Sequence, residues 1–186
     1  MSRPRSFDPH AVVDAAMQAF WIGGVTGTSV DDLLQATGLS RSSLYNSFGN
    51  REGLMQAAVE RYAYEQAAAI QRLFENKSLD QALAALFMDA ATKNYDGRGC
   101  LLVNAVGELH ASQAQGVDAV QEAFARVAAA LEGAIRNAAP QRNDSAQLCA
   151  AAMAAIAGLR TLQRADVPLV LRQHAAQRLA QALIAS

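Results

Sequence analysis

From its amino end the chain runs through stretches in which apolar residues recur every three or four positions, separated by short breaks rich in Gly, Ser, Asn and Asp. That period predicts amphipathic helices. Asp8-Pro9 opens the first, because a carboxylate caps free N–H groups and a proline ring is pre-set for a first turn. Val12, Ala16, Ala19 and Phe20 then share a face, and Gly23-Gly24 ends the helix. Thr28 and Ser29 offer caps for a second, short helix, with Asp31 and Asp32 placed for a capping box. It carries Val30, Leu33 and Leu34 and stops at Gly38, a residue suited to the left-handed turn that ends a helix. Only Leu39 separates Gly38 from Ser40, which caps a third helix whose Leu44 and Phe48 face the first two. Two short helices joined by a Gly-containing turn match a helix-turn-helix, a pattern shared by plain helical hairpins.

Gly49-Asn50 breaks the chain again, and Asn50 caps a long fourth helix through Leu54, Ala58 and Tyr62 toward Phe74. Ser78 starts a fifth, with Leu79, Leu83, Leu86, Phe87 and Ala90, extending to about Tyr95 before the loop Asp96-Gly97-Arg98-Gly99. A sixth runs from near Cys100 to about Ala111. A seventh follows Gly116, with Val120, Phe124, Val127, Leu131 and Ile135, and stops before Pro140. The eighth, from about Ser145 to Gln163, steps through Leu148, Ala152, Ala155, Leu159 and Leu162 but is apolar on its other faces too, so it must be covered on several sides. Pro168 opens the ninth, where Leu171, Ala175, Leu179 and Leu183 oppose a face of Arg and Gln. This final pair suits a four-helix bundle between two subunits, and equally an internal hairpin covered by its neighbours. The expected fold is all-α, with about nine helices.

Composition agrees, since 52% of the 186 residues are hydrophobic but only 6% aromatic, with Ala dominant and 4 Pro in all. Charge adds a constraint. The formal net charge is -1, and residues 1–60 hold Arg3, Arg5, Arg41 and Arg51 against six carboxylates. A basic footprint for nucleic acid is therefore missing, and any such binding must come from where the arginines sit. Cys100 and Cys149 lack metal-ligand spacing, and nothing at the amino end reads as a signal peptide, so a reducing cytoplasm is expected. The longest apolar run, Leu148 to Leu159, falls short of the roughly 18 residues of a membrane span, so no membrane partner is expected. No Ser-His-Asp order, nucleotide Gly-loop or metal-spaced cluster points to an enzyme or a cofactor, and the 3 His at positions 10, 110 and 174 form no cluster.

About the first 65 residues resemble the amino-terminal domain of the TetR family of bacterial regulators. The resemblance is carried by Ala19-Phe20-Trp21-x-x-Gly24, Thr28-Ser29-Val30-x-x-Leu33 and Gly38-Leu39-Ser40. It continues through Ser43-Leu44-Tyr45-x-x-Phe48-Gly49-Asn50-Arg51-Glu52-x-Leu54. It implies a DNA-binding domain over residues 1–50 and a ligand-binding and dimerisation domain over 51–186, linked by the fourth helix. It further implies a homodimer whose third helices enter successive major grooves of a palindromic operator, about 34–36 Å apart, and a small-molecule effector that releases the DNA.

On that resemblance Arg41 is the candidate base reader, since a guanidinium can donate twice to guanine. Ser40 starts the reading helix, Ser42 and Asn46 offer weaker contacts, and Ser43 and Tyr45 match positions whose hydroxyls meet phosphates. Thr28 and Ser29 would set a helix N-terminus against a phosphate, and Arg51 would anchor another. Arg3 and Arg5 would reach a groove or stay as solvated tail charges. Tyr62, Asn94, Tyr95, Cys100, Asn104 and Glu108 are the polar candidates for an effector pocket among the fourth to eighth helices. Cys100, after Arg98-Gly99 at a helix start, fits either a thiolate sensor of oxidants and electrophiles or a small apolar filler. Leu148, Ala152, Ala155, Leu159, Leu162, Leu171, Ala175, Leu179 and Leu183 are the expected dimer face. The competing expectation is a helical small-molecule-binding or scaffolding protein that does not touch DNA.

Overall fold

A computed structural model describes residues 7–93, 96–112 and 116–185. Among them are nine α-helices and no strand. They are α1 Pro9–Gly23, α2 Val30–Thr37, α3 Arg41–Phe48, α4 Arg51–Phe74, α5 Leu79–Thr92, α6 Leu101–Ser112, α7 Val117–Ala138, α8 Ser145–Arg164 and α9 Leu169–Ile184. The all-α expectation holds, and the one visible shift in a boundary is that α5 ends at Thr92 rather than near Tyr95.

Local chemistry sets the short amino-terminal helices. The Asp8 side chain accepts from His10 N–H at 2.9 Å, with Pro9 in the first turn of α1. Ser29 and Asp32 form a reciprocal capping box on α2, and Gly38 closes that helix in the left-handed region at φ 69°. Ser40 caps α3 by accepting from Ser43 N–H at 3.1 Å, and Asn50 accepts from Gly53 N–H at 2.7 Å at the start of α4. Each of these helix starts is thus satisfied by a side chain a few residues away, which is why the sequence alone located it.

The chain divides into two compact units, each built from two stretches. The first holds α1, α2, α3 and α4 as far as Ala63, together with Asn104–Ala123. Phe20, Leu33, Leu44, Leu54, Ala58 and Val59 are fully buried in it. Trp21 meets Tyr62 edge-on, with ring centroids 5.0 Å apart, and Arg61 pairs with Asp14 at 2.8 Å. Three short helices expose too much apolar surface to stand alone, so a core of this kind needs the added helical segments.

The second unit holds Tyr64–Val103 and the chain from Phe124 onward. Here α5 packs against both α8 and α9. Arg160 of α8 is buried and donates to Asp89 at 3.2 Å and to the Lys93 carbonyl at 3.3 Å. Gln163 donates to the same carbonyl at 2.7 Å, and Arg172 of α9 donates to the carbonyl of Ala91 at 2.5 Å. These groups satisfy the carbonyls left over at the end of α5. By length and composition α8 is apolar enough to cross a membrane. Its buried arginine and its face against α5 are those of a core helix.

The expected dimer face requires correction at four positions. Leu148, Ala152, Ala155 and Leu159 are buried within their own chain, because the 3-4 stripe of α8 is the one turned inward. The open face of α8 carries Ala146, Ala150, Ala154 and Gly158, and on α9 Leu171 is 54% exposed beside Leu169 and Val170. Leu162, Ala175, Leu179 and Leu183 are half-buried.

Two outcomes follow. Leu44→Ala, which empties a fully buried site, is expected to cost about 2–5 kcal/mol in denaturant unfolding. Asp32 has its pKa lowered by the Ser29 hydroxyl and amide that hydrogen-bond its carboxylate. A lowered carboxyl pKa stabilises above the ordinary Asp value, and the effect is lost as pH falls through the lowered one. The stability gap between wild type and Asp32→Asn should therefore be constant near neutrality and close below about pH 4. A gap unchanged across that range would show that ionisation of Asp32 is not what holds the cap.

Candidate nucleic-acid interface

Helix α3 is amphipathic in the simplest way. Leu44 is fully buried, while Ser40, Arg41, Ser42, Tyr45 and Asn46 are exposed and Ser43 is half-buried. The Ser40 hydroxyl lies 3.0 Å from that of Ser42 and 2.8 Å from that of Ser43, so three hydroxyls cluster where the helix dipole is positive. Tyr45 keeps 45% of its surface open although its neighbour Leu44 is sealed. The expected reading residues thus share one short helix and one accessible surface.

Arg41 donates to Asp31 of α2 at 2.6 Å, with both side chains more than half exposed. A pair so open to solvent adds little to stability. Its effect is on direction, since a guanidinium has five donors in a rigid fork and a single contact leaves the others available. The sequence offered both charges but no hint that a residue ten positions back would hold the reader.

Three of the residues expected at phosphates make hydrogen bonds within the chain. Thr28 is buried, and its hydroxyl donates to the carbonyls of Gly24 at 2.7 Å and Ala19 at 3.4 Å. Ser29 is exposed, but its amide and hydroxyl both donate to Asp32, at 2.8 and 2.6 Å. An internal carboxylate already occupies the end of α2 where a phosphate was expected. Arg51 has only 19% of its side chain exposed. Its Nε donates to the Thr28 carbonyl at 2.7 Å, another nitrogen reaches the carbonyl of Val25, and the guanidinium lies 5.3 Å over the Phe20 ring. It is a clamp on the turn between α1 and α2 rather than a surface cation. Arg3 and Arg5 lie outside the described residues.

Of the expected effector residues, Tyr62, Asn104 and Glu108 lie in the first unit. Tyr62 is 2% exposed in the core of the first unit. Glu108, half-buried on α6, accepts from the Thr26 amide at 3.1 Å and hydroxyl at 3.3 Å. Asn104 is half-buried in the same unit, and Asn94 and Tyr95 lie outside the described residues. Cys100 is half-buried just before α6. Cys149 is buried, donates its thiol to the Ala128 carbonyl at 3.3 Å, and has its pKa pushed up by burial. An open cleft of 850 Å³ does exist in the second unit, between α4 and α7, lined by Ala68, Gln71, Arg72, Ala130, Gly133 and Asn137 among others. None of the expected residues lines it.

Comparison with known proteins agrees with this geometry. Residues 12–58 match the family model for bacterial regulatory proteins of the tetR family. The HTH-type transcriptional repressor ComR of Escherichia coli is 40% identical over 107 residues, covering 55% of this chain and 51% of ComR. The uncharacterised HTH-type regulator YezE of Bacillus subtilis is 31% identical over 112 residues, covering 58% of each chain. The chain therefore spans only about half the length of these curated relatives. Among solved structures, the TetR-family regulator CifR, a cysteine mutant in complex with a 26 bp double-strand operator DNA, superposes with a TM-score of 0.80. That match covers 97% of this chain and 99% of CifR at 24% identity, and so bears on the fold.

Removing the Arg51 clamp leaves two carbonyls without their donor. Hydrogen bonds to charged groups are worth about 1.5–3 kcal/mol, so Arg51→Ala should lower unfolding stability by roughly 2–4 kcal/mol. Arg51→Lys should recover less than half of this, because a single ammonium cannot reproduce the fork. A change within about 0.5 kcal/mol, the range of ordinary surface substitutions, would mean that Arg51 is free.

Proposed function

We propose that the chain, whose residues 12–58 match the model for bacterial regulatory proteins of the tetR family, is a DNA-binding transcriptional repressor of that family. The observation that carries the proposal is α3, a helix sealed by Leu44 on one side and presenting Ser40, Arg41, Ser42, Ser43, Tyr45 and Asn46 on the other. Arg41 reads a guanine in the major groove, and the hydroxyls of Ser43 and Tyr45 meet the flanking phosphates. Residues 1–50 act as the DNA-binding domain and 51–186 as the effector-binding and dimerisation domain. Two copies bind the halves of a palindromic operator, which doubles the contact made by a short helix.

The homodimer forms through the carboxy-terminal helices. Support comes from the exposed Leu169, Val170 and Leu171 and from the alanine face of α8, which together leave apolar surface open on a single chain. A small-molecule effector bound in the domain over 51–186 releases the DNA, and the protein works in the cytoplasm, where operators are. The relative ComR carries the word repressor in its name, which supports the direction of control.

Selection of duplexes from a random library by the purified full chain tests this. The expected product is a two-fold symmetric sequence whose retention falls with salt. Recovery of no preferred sequence would favour a helical binding or scaffolding protein. Arg41→Ala should flatten the preference at one position in each half-site, a loss of about 1–3 kcal/mol of discrimination there. A uniform loss across sequences would make Arg41 a phosphate contact instead.

A further inference from the structure

The turn between α1 and α2 is held from two sides by opposite charges. On one side the Arg51 guanidinium takes the carbonyls of Val25 and Thr28. On the other, Glu108 takes the amide and the hydroxyl of Thr26, across 82 residues of chain. Gly24 makes room for that carboxylate. A Cβ there would come within 2.7 Å of Glu108 Oε2, and φ of 80° is in any case a conformation that side chains avoid. Thr28 then closes the turn by donating its hydroxyl to the Gly24 carbonyl.

The turn leads directly into Ser29, the cap of α2, and α2 supplies the Asp31 that holds Arg41. A carboxylate on α6 therefore sets the platform from which the reading helix is delivered. We infer that Glu108 is a positioning residue for operator binding, acting through the 24–28 turn on α2 and α3. This rests on the DNA-binding function proposed above. It also opposes simple electrostatics, under which loss of a carboxylate from an acidic domain would strengthen attraction to any duplex.

Three proteins decide the matter: wild type, Glu108→Ala, and Glu108→Gln, which keeps an oxygen acceptor for the Thr26 amide but loses the charge. Binding is measured to the duplex selected by wild type and to a random duplex, alongside thermal melting and peptide-resolved hydrogen exchange. Glu108→Ala is expected to bind the selected duplex about tenfold more weakly, the scale of one charge-assisted hydrogen bond. Glu108→Gln should stay within about threefold of wild type, and neither variant should lose affinity for random DNA. Exchange should rise over residues 24–34 in Glu108→Ala and remain unchanged over α5, α8 and α9. Equal tightening of both variants on both duplexes would overturn the inference in favour of electrostatics. Equal weakening on both duplexes with a lowered melt would reduce Glu108 to a general stabiliser. Unchanged exchange over 24–34 overturns it on its own, even if wild type selects no duplex and the DNA-binding function itself fails.

Discussion

The amino-terminal unit depends on how five residues of turn, 24–28, are kept from floating free. A segment with no regular structure has backbone donors and acceptors that must find partners elsewhere, and a flexible turn would let α2 and α3 drift as a pair. Arg51 supplies a planar fork for two carbonyls while its flat face covers Phe20. Lysine would supply the charge without the plane or the fork. Because Arg51 sits at the first position of α4, the start of that long helix and the path of the turn are fixed by one side chain.

This explains where sequence reasoning succeeded and where it failed. Caps such as Asp8, Ser29 and Ser40 are satisfied within three residues, so their partners lie in the same short stretch of text. The leucines and alanines of each apolar face repeat at a fixed period, so the helices were legible to within a few residues of their ends. For Arg51 and Thr28 a family pattern identifies positions but not the direction in which a side chain points. Glu108 lies on a helix remote from the turn it holds, and nothing in its neighbours Gly107 and Leu109 marks it for Thr26.

In the second unit the difficulty was different. Helix α8 is apolar nearly all round, so periodicity could not tell which stripe faces its own chain. The larger Leu148 and Leu159 go inward, and the small Ala146, Ala150 and Ala154 remain outside. A face of small residues allows a close approach by another helix, as an interior packed to crystal-like density requires. Arg160 and Gln163 are buried because the carbonyl of Lys93, at the end of α5, is within reach of long polar side chains.

The acidity of the amino-terminal unit now has a structural account. Of the four arginines in residues 1–60, Arg51 is spent inside the fold and Arg41 is held by Asp31. Asp32 caps α2 from within. Charge is therefore used to fix geometry rather than to attract a polyanion. In the proposed complex α3 would offer DNA a cluster of hydroxyls at a positive helix end, one directed guanidinium, an amide and an exposed tyrosine, most of them neutral. Neutral contacts release few counterions and give little affinity to random sequence, so discrimination must come from fit. Fit demands that α3 be held rigidly, and that places the weight of function on the clamped turn that feeds α2.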